Sequence, residues 1–125
     1  MELPMILGLR TAIYPAPDLA AAKAWYTKVF GVPPYYDQPY YVGFAVGGFE
    51  LGLLPDAIPG ADGAQAFWGV DNAEAEYARL LELGARDLEP PHDVGDGIKV
   101  GSVLDPFGNR LSLIENPLFD TRSVR

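Results

Sequence analysis

The chain has no cysteine among its 125 residues. That excludes disulfides, thiolate metal sites and cysteine nucleophiles together. Histidine occurs once, as His92, and basic residues are scarce: nine Lys and Arg against 17 Asp and Glu, for a net charge of −8. Such a balance argues against nucleic acid as a partner and suits neutral or cationic ones, although the same charge also serves solubility by itself. No apolar run approaches the roughly 18 residues of a membrane span, and the opening residues lack a basic-then-apolar export pattern. No membrane partner is therefore expected, and the cytoplasm is the expected compartment. A serine nucleophile elbow, a phosphate-cradling glycine loop and an H-E-x-x-H helix are missing as well. Gly60-Ala61-Asp62-Gly63 reads as a connector between halves.

What is present is apolar and regular. Hydrophobic residues make up 49% and aromatics 12%, which excludes disorder and predicts one compact domain. Asp105-Pro106-Phe107-Gly108 has the residue types of a type I turn in the right order. Flanking residues 99–104 and 110–114 read as the strands of a hairpin, with Leu111 and Leu113 on one face and Arg110, Ser112 and Ile114 on the other. Residues 7–14 read as a first strand. A helix over residues 18–30 follows, capped by Asp18, striped by Ala22, Trp25, Tyr26, Val29 and Phe30, and stopped by Gly31. Residues 35–37, 40–46 and 49–54 read as three strands, with Gly47-Gly48 as a hairpin turn. The pattern then recurs: strand 65–70, helix 72–83, weak strand 86–88, an irregular loop over 89–97, the hairpin, and a partly ordered tail from 116.

The recurrence has a fixed offset. Asp18 and Asp71 lie 53 positions apart, and so do Gly31 and Gly84. Each half is a strand, a helix of equal length and three strands, an internal repeat. The expected fold is therefore α+β: two βαβββ modules, about 7–55 and 64–117, forming a cupped mixed β-sheet with a helix on the outside of each. Their inner faces would line one cavity.

Pro17-Asp18-Leu19, residues 25–31 (WYTKVFG), Val70-Asp71-Asn72, Asp105-Pro106-Phe107-Gly108-Asn109, Glu50-Leu51 and Ile114-Glu115 carry a further signal. Through them the chain, from about residue 7 to 117, resembles the vicinal oxygen chelate superfamily of glyoxalases, bleomycin-resistance proteins and extradiol dioxygenases. That resemblance implies homodimers and, in the enzymes, a divalent metal held from four strand positions, mostly by His and Glu. Here those positions match Thr11, Glu50, Gln65 and Ser112. One carboxylate and three neutral oxygens are poor partners for zinc, nickel or iron. No metal and no other cofactor is therefore expected, the alternative being a divalent ion held by Glu50 and Gln65.

To the four positions that the resemblance implies, Thr11, Glu50, Gln65 and Ser112, strand alternation adds Phe67, Ser102 and Arg110 as the expected ligand-binding set, with some of Tyr35, Tyr36, Tyr40, Tyr41 and Phe44 turned inward. An aromatic-lined cup of this kind suits a small organic molecule, neutral or cationic. Glu50 is the candidate catalytic group. It reads equally as a general base of raised pKa, as the holder of a cationic ligand, or as an ion-pair partner of Arg110. His92 reads as a solvated loop residue or, if its loop folds over the cup, as a proton shuttle. The function expected is metal-free small-molecule binding of the bleomycin-resistance kind, with a metal-dependent lyase, isomerase or dioxygenase of the glyoxalase type as the alternative.

Overall fold

A computed structural model describes residues 9–60 and 65–118. The first module runs β1 (Thr11–Pro15), α1 (Leu19–Phe30), β2 (Tyr36–Gln38), β3 (Tyr41–Val46) and β4 (Phe49–Leu54); the second runs β5 (Phe67–Gly69), α2 (Ala73–Glu82), β6 (Arg86–Gly95), β7 (Ile98–Leu104) and β8 (Arg110–Glu115). Each module is a four-stranded sheet, ordered β1-β4-β3-β2 and β5-β8-β7-β6, with one parallel pair and two antiparallel ones. The α+β reading with two βαβββ modules holds. No helix among the described residues is long and apolar enough to cross a membrane.

Local chemistry sets the element ends. Asp18 accepts from the Ala21 amide at 3.1 Å and Gly31 closes α1 with φ of 72°, the left-handed conformation that glycine tolerates. Asn72 caps α2 by accepting from the Ala75 amide at 3.0 Å. The two helices are not equal, at 12 and 10 residues. Gly47 and Gly48, both at positive φ, make the β3–β4 turn as expected. Strand β5 is shorter than the predicted strand, so Gln65 precedes it. Residues 7 and 8 of the first strand, 61–64 of the connector and 119–125 of the tail lie outside the described residues.

The largest correction concerns residues 89–97. The Pro90-Pro91 pair suggests a loop, yet β6 runs to Gly95 and pairs with β7. Glu89 faces Ser102 and His92 faces Val100, so Pro90 and Pro91 together oppose the single Gly101, a β-bulge. An edge strand tolerates proline where no ladder N–H is required. A Cβ on Gly101 would come within 3.1 Å of Pro91 and of the Glu89 carbonyl, so the bulge presses onto bare backbone.

The modules join on their helix sides. One core holds Tyr14, Trp25, Tyr26, Phe44, Leu51 and Leu53 of the first with Tyr77, Leu80, Val103, Leu111 and Leu113 of the second. Trp25 Nε1 donates to the Leu83 carbonyl at 2.7 Å and Trp68 Nε1 to the Tyr14 hydroxyl at 3.0 Å. Arg79 of α2 caps the end of α1 by donating to the Lys28 and Val29 carbonyls at 3.1 and 2.8 Å. Asp105, only 1% exposed, is the centre of this seam. Its carboxylate accepts from the Tyr26 hydroxyl (2.6 Å), the amides of Phe107 (2.9 Å) and Asn109 (2.8 Å), and Asn109 Nδ2 (3.2 Å). Asn109 Nδ2 also donates to the Pro15 carbonyl of β1. Burial first, then the Asp105 charge, raise the Tyr26 phenol well above its ordinary pKa, so it remains a donor.

Removing one donor from a buried carboxylate costs about 1.5–3 kcal/mol. Tyr26→Phe should therefore lower stability by that amount in urea unfolding with an unchanged denaturant slope. A midpoint equal to that of the parent protein would refute the role given to this bond.

Candidate functional site

The face of the first sheet turned away from the core carries the pocket. Alternation and register place Thr11 and Ile13 of β1, Gly43 of β3, and Glu50, Gly52 and Leu54 of β4 on that face. Gly43 and Gly52 are direct cross-strand partners. A Cβ on Gly43 would meet Glu50 Oε2 at 2.6 Å and the Tyr35 ring at 3.2 Å, and one on Gly52 would collide with the Tyr41 phenol. Two adjacent residues without side chains thus make a floor against which Tyr35, Tyr41 and Glu50 pack. Tyr35, Tyr36, Tyr40, Tyr41, Glu50 and Leu54 line an open depression of about 360 Å³. The Tyr36 centroid lies 6.5, 6.4 and 5.9 Å from those of Tyr35, Tyr40 and Tyr41, at interplanar angles of 56–69°. These rings stand as walls rather than as a stack.

Among the described residues, Glu50 is the only formally charged side chain lining this pocket. Its Oε1 accepts from Thr11 Oγ1 at 2.9 Å and from the Tyr41 hydroxyl at 2.6 Å, and its Oε2 accepts from the Tyr35 hydroxyl. Partial burial pushes the Glu50 pKa up, but the three hydroxyl donors outweigh it and hold the carboxyl below its ordinary 4.5. The expectation of a raised pKa is thus corrected: Glu50 is an ionised carboxylate, a weak base. The phenols move the other way. Tyr41 is raised by burial and by Glu50, Tyr35 by its hydrogen bond to Glu50, and Tyr36 by its bond to Tyr40 at 2.6 Å.

The predicted set divides in two. Thr11 and Glu50 are paired on the first sheet; Phe67, Ser102, Arg110 and Ser112 lie on the second. Ser112 is the register partner of Phe67, so Gln65, exposed and ahead of β5, does not stand beside it. The Ser102 and Ser112 hydroxyls share a bond of 2.8 Å, and Arg110 Nε donates to Ser102 at 3.2 Å. Arg110 does not pair with Glu50: its Nη2 meets Glu89 Oε2 at 2.6 Å. Glu89 also faces His92 Nε2 at 3.4 Å, so His92 belongs to this second group, in a strand rather than a loop. Neither Arg110 nor His92 lines the Glu50 pocket. Of the aromatic run expected to turn some rings inward, Tyr35, Tyr36, Tyr40 and Tyr41 line the pocket, whereas Phe44 is buried in the core; the Gly43–Gly52 pair was absent from the predicted site.

A divalent metal does not fit this donor set. Three hydroxyl protons point at the Glu50 oxygens, occupying lone pairs that an ion would need. Among the described residues, no three of His, Asp and Glu cluster as ligands.

A model of the glyoxalase/bleomycin resistance protein/dioxygenase superfamily matches residues 8–113. The chain belongs to that superfamily. Its curated relatives include CFP32 of Mycobacterium tuberculosis, whose name places it among glyoxylases, 29% identical over 107 residues, 77% of this chain. The match spans only 41% of that relative's length. Among solved structures, lactoylglutathione lyase from Agrobacterium tumefaciens superposes with a TM-score of 0.71 at 22% identity, over 94% of this chain and 98% of that one. The bleomycin-resistance determinant encoded on transposon Tn5 gives 0.66 at 18%, over 89% and 99%. A superfamily member from Sphaerobacter thermophilus gives 0.74 at 20%, over 90% and 100%. Likeness at these identities establishes the fold and leaves the activity open, since one fold hosts many sites.

The depressed Glu50 pKa has a definite sign in stability. Its contribution is fully present above the unfolded value near 4.5 and is lost as pH falls through the lower folded value. The stability gap between the parent protein and Glu50→Gln should therefore stay constant above that pH and narrow below it in urea titrations. A gap that widens on acidification would contradict the hydroxyl-stabilised carboxylate.

Proposed function

We propose that this protein binds a small organic molecule, neutral or cationic, in the tyrosine-walled pocket around Glu50, without a metal. The observation that carries the reading is the engagement of Glu50 by Thr11, Tyr35 and Tyr41. Hydroxyls aimed at the carboxylate keep it charged but take up the lone pairs that coordination requires. A depressed pKa also suits an electrostatic contact better than proton abstraction, for which a base poised near neutrality is favoured. Aromatic walls with one fixed polar group are the usual make-up of an organic-ligand site.

A homodimer completes this reading. The sheet faces opposite the core carry apolar side chains left partly exposed by the single chain, Ile13 and Phe67 both 47%. Apolar side chains exposed on a sheet face favour a covering partner, and a second copy is the one that this reading supplies.

Chelator-treated protein titrated with nickel, zinc, manganese and iron(II) should take up no stoichiometric ion at micromolar concentration. A thermal-shift screen of aromatic and cationic metabolites in the presence of chelator should give ligands that raise the unfolding temperature. Uptake of one ion per chain, abolished by Glu50→Ala, would overturn the proposal in favour of a metal-dependent lyase or dioxygenase. Sedimentation equilibrium should return twice the chain mass of 13.5 kDa, and Phe67→Asp should shift it toward one.

A further inference from the structure

We infer that the Glu50 pocket selects an organic cation with few or no N–H donors, a trimethylammonium-type head group, over neutral and primary-amine ligands. This deepens the proposed binding function and rests on it. Four tyrosines and one carboxylate line the pocket, with Leu54 as the remaining contact. The Tyr36 ring is inclined to those of Tyr35, Tyr40 and Tyr41, so the cavity is bounded by aromatic surfaces of different orientation. Such surfaces attract a cation through their negative faces. Tyr35 and Tyr40 are 63% and 59% exposed in the single chain, so neither ring is spent on that chain's own core.

The preference for a donor-poor cation follows from the hydrogen bonds. Oε1 of Glu50 already accepts two and Oε2 one. A primary ammonium, strongly hydrated, seeks several direct N–H···O bonds, whereas Glu50 has only one carboxylate lone pair left to offer, on Oε2. A quaternary ammonium asks only for negative potential and ring faces. An anion meets the carboxylate charge, and the Thr11, Tyr35 and Tyr41 hydroxyls that would greet it already donate to Glu50. Gly43 and Gly52 keep this arrangement in place, because a side chain at either position would push into Glu50 or Tyr41.

The test compares three probes by ring-proton chemical-shift titration of the full chain: choline, its neutral tert-butyl isostere and ethanolamine. Choline should bind at least about tenfold tighter than either of the others. Glu50→Gln should reduce choline affinity by about tenfold and leave the isostere within about twofold. Tyr40→Leu, at an exposed ring that does not touch Glu50, should weaken choline in a protein that still folds. Equal affinity for choline and its isostere would overturn selection for charge, and tighter ethanolamine would overturn selection against donors. If no probe binds while the broader ligand screen succeeds, this inference alone falls. If that screen is also silent, the binding function falls with it.

Discussion

The two halves of this molecule depend on one buried anion. Asp105 sits at the turn of the last hairpin, yet two of its outside connections reach the first module, through Tyr26 and, by way of Asn109, through the Pro15 carbonyl. A carboxylate stripped of water is tolerable only when its lone pairs are filled, and four donors fill them. The turn that Asp105 shapes therefore also fixes where β1 and α1 stand against the second sheet. The Trp25 and Arg79 bonds add to the same seam. All of these contacts lie on the helix side, which leaves the opposite faces of both sheets free for other work.

On the first of those faces, an absence of side chains does the shaping. The Gly43–Gly52 pair lowers the sheet surface locally, and the rings of Tyr35 and Tyr41 come down to reach Glu50. Glycine weakens a strand interior by losing packing and by its entropy, so two in register carry a cost. Here the cost is offset by a carboxylate with three hydroxyl partners and a ring-walled cavity. The second face uses a different device: Arg110 lies over Ser102 and Ser112 and is held by Glu89.

The architecture was legible in the sequence because its signals are local and repeated. Asp18 and Gly31 bound one helix, Gly84 follows the other, and the offset of 53 turns single guesses into a pattern. Glu50 and Thr11 were also legible, through the resemblance that marks both as strand positions of the site, and the β1–β4 register pairs them. What the sequence hid depends on pairing between strands. Pro90-Pro91 looks like a break until a bulge opposite Gly101 accommodates both residues. Arg110 looks like a partner for Glu50 until β6, read as a loop, delivers Glu89 to it. Which tyrosines meet Glu50 follows from the register of β2, β3 and β4, and from glycines whose meaning appears only when they face each other.

The same dependence explains how this fold can keep a carboxylate and change its chemistry. Coordination needs lone pairs pointing into one volume from several side chains. At Glu50 the neighbours on β1, β3 and the segment before β2 present protons instead, and those protons point at the carboxylate. Each such bond lowers the basicity of Glu50 and fills a coordination site, yet none removes its charge. The negative potential survives while directional acceptor capacity is used internally. A cavity left with potential, aromatic faces and few free lone pairs discriminates by charge and shape more than by hydrogen bonding. Exchanging hydroxyl neighbours for imidazoles would reverse that balance without moving a strand, because the geometry belongs to the sheet and the chemistry to four or five side chains upon it.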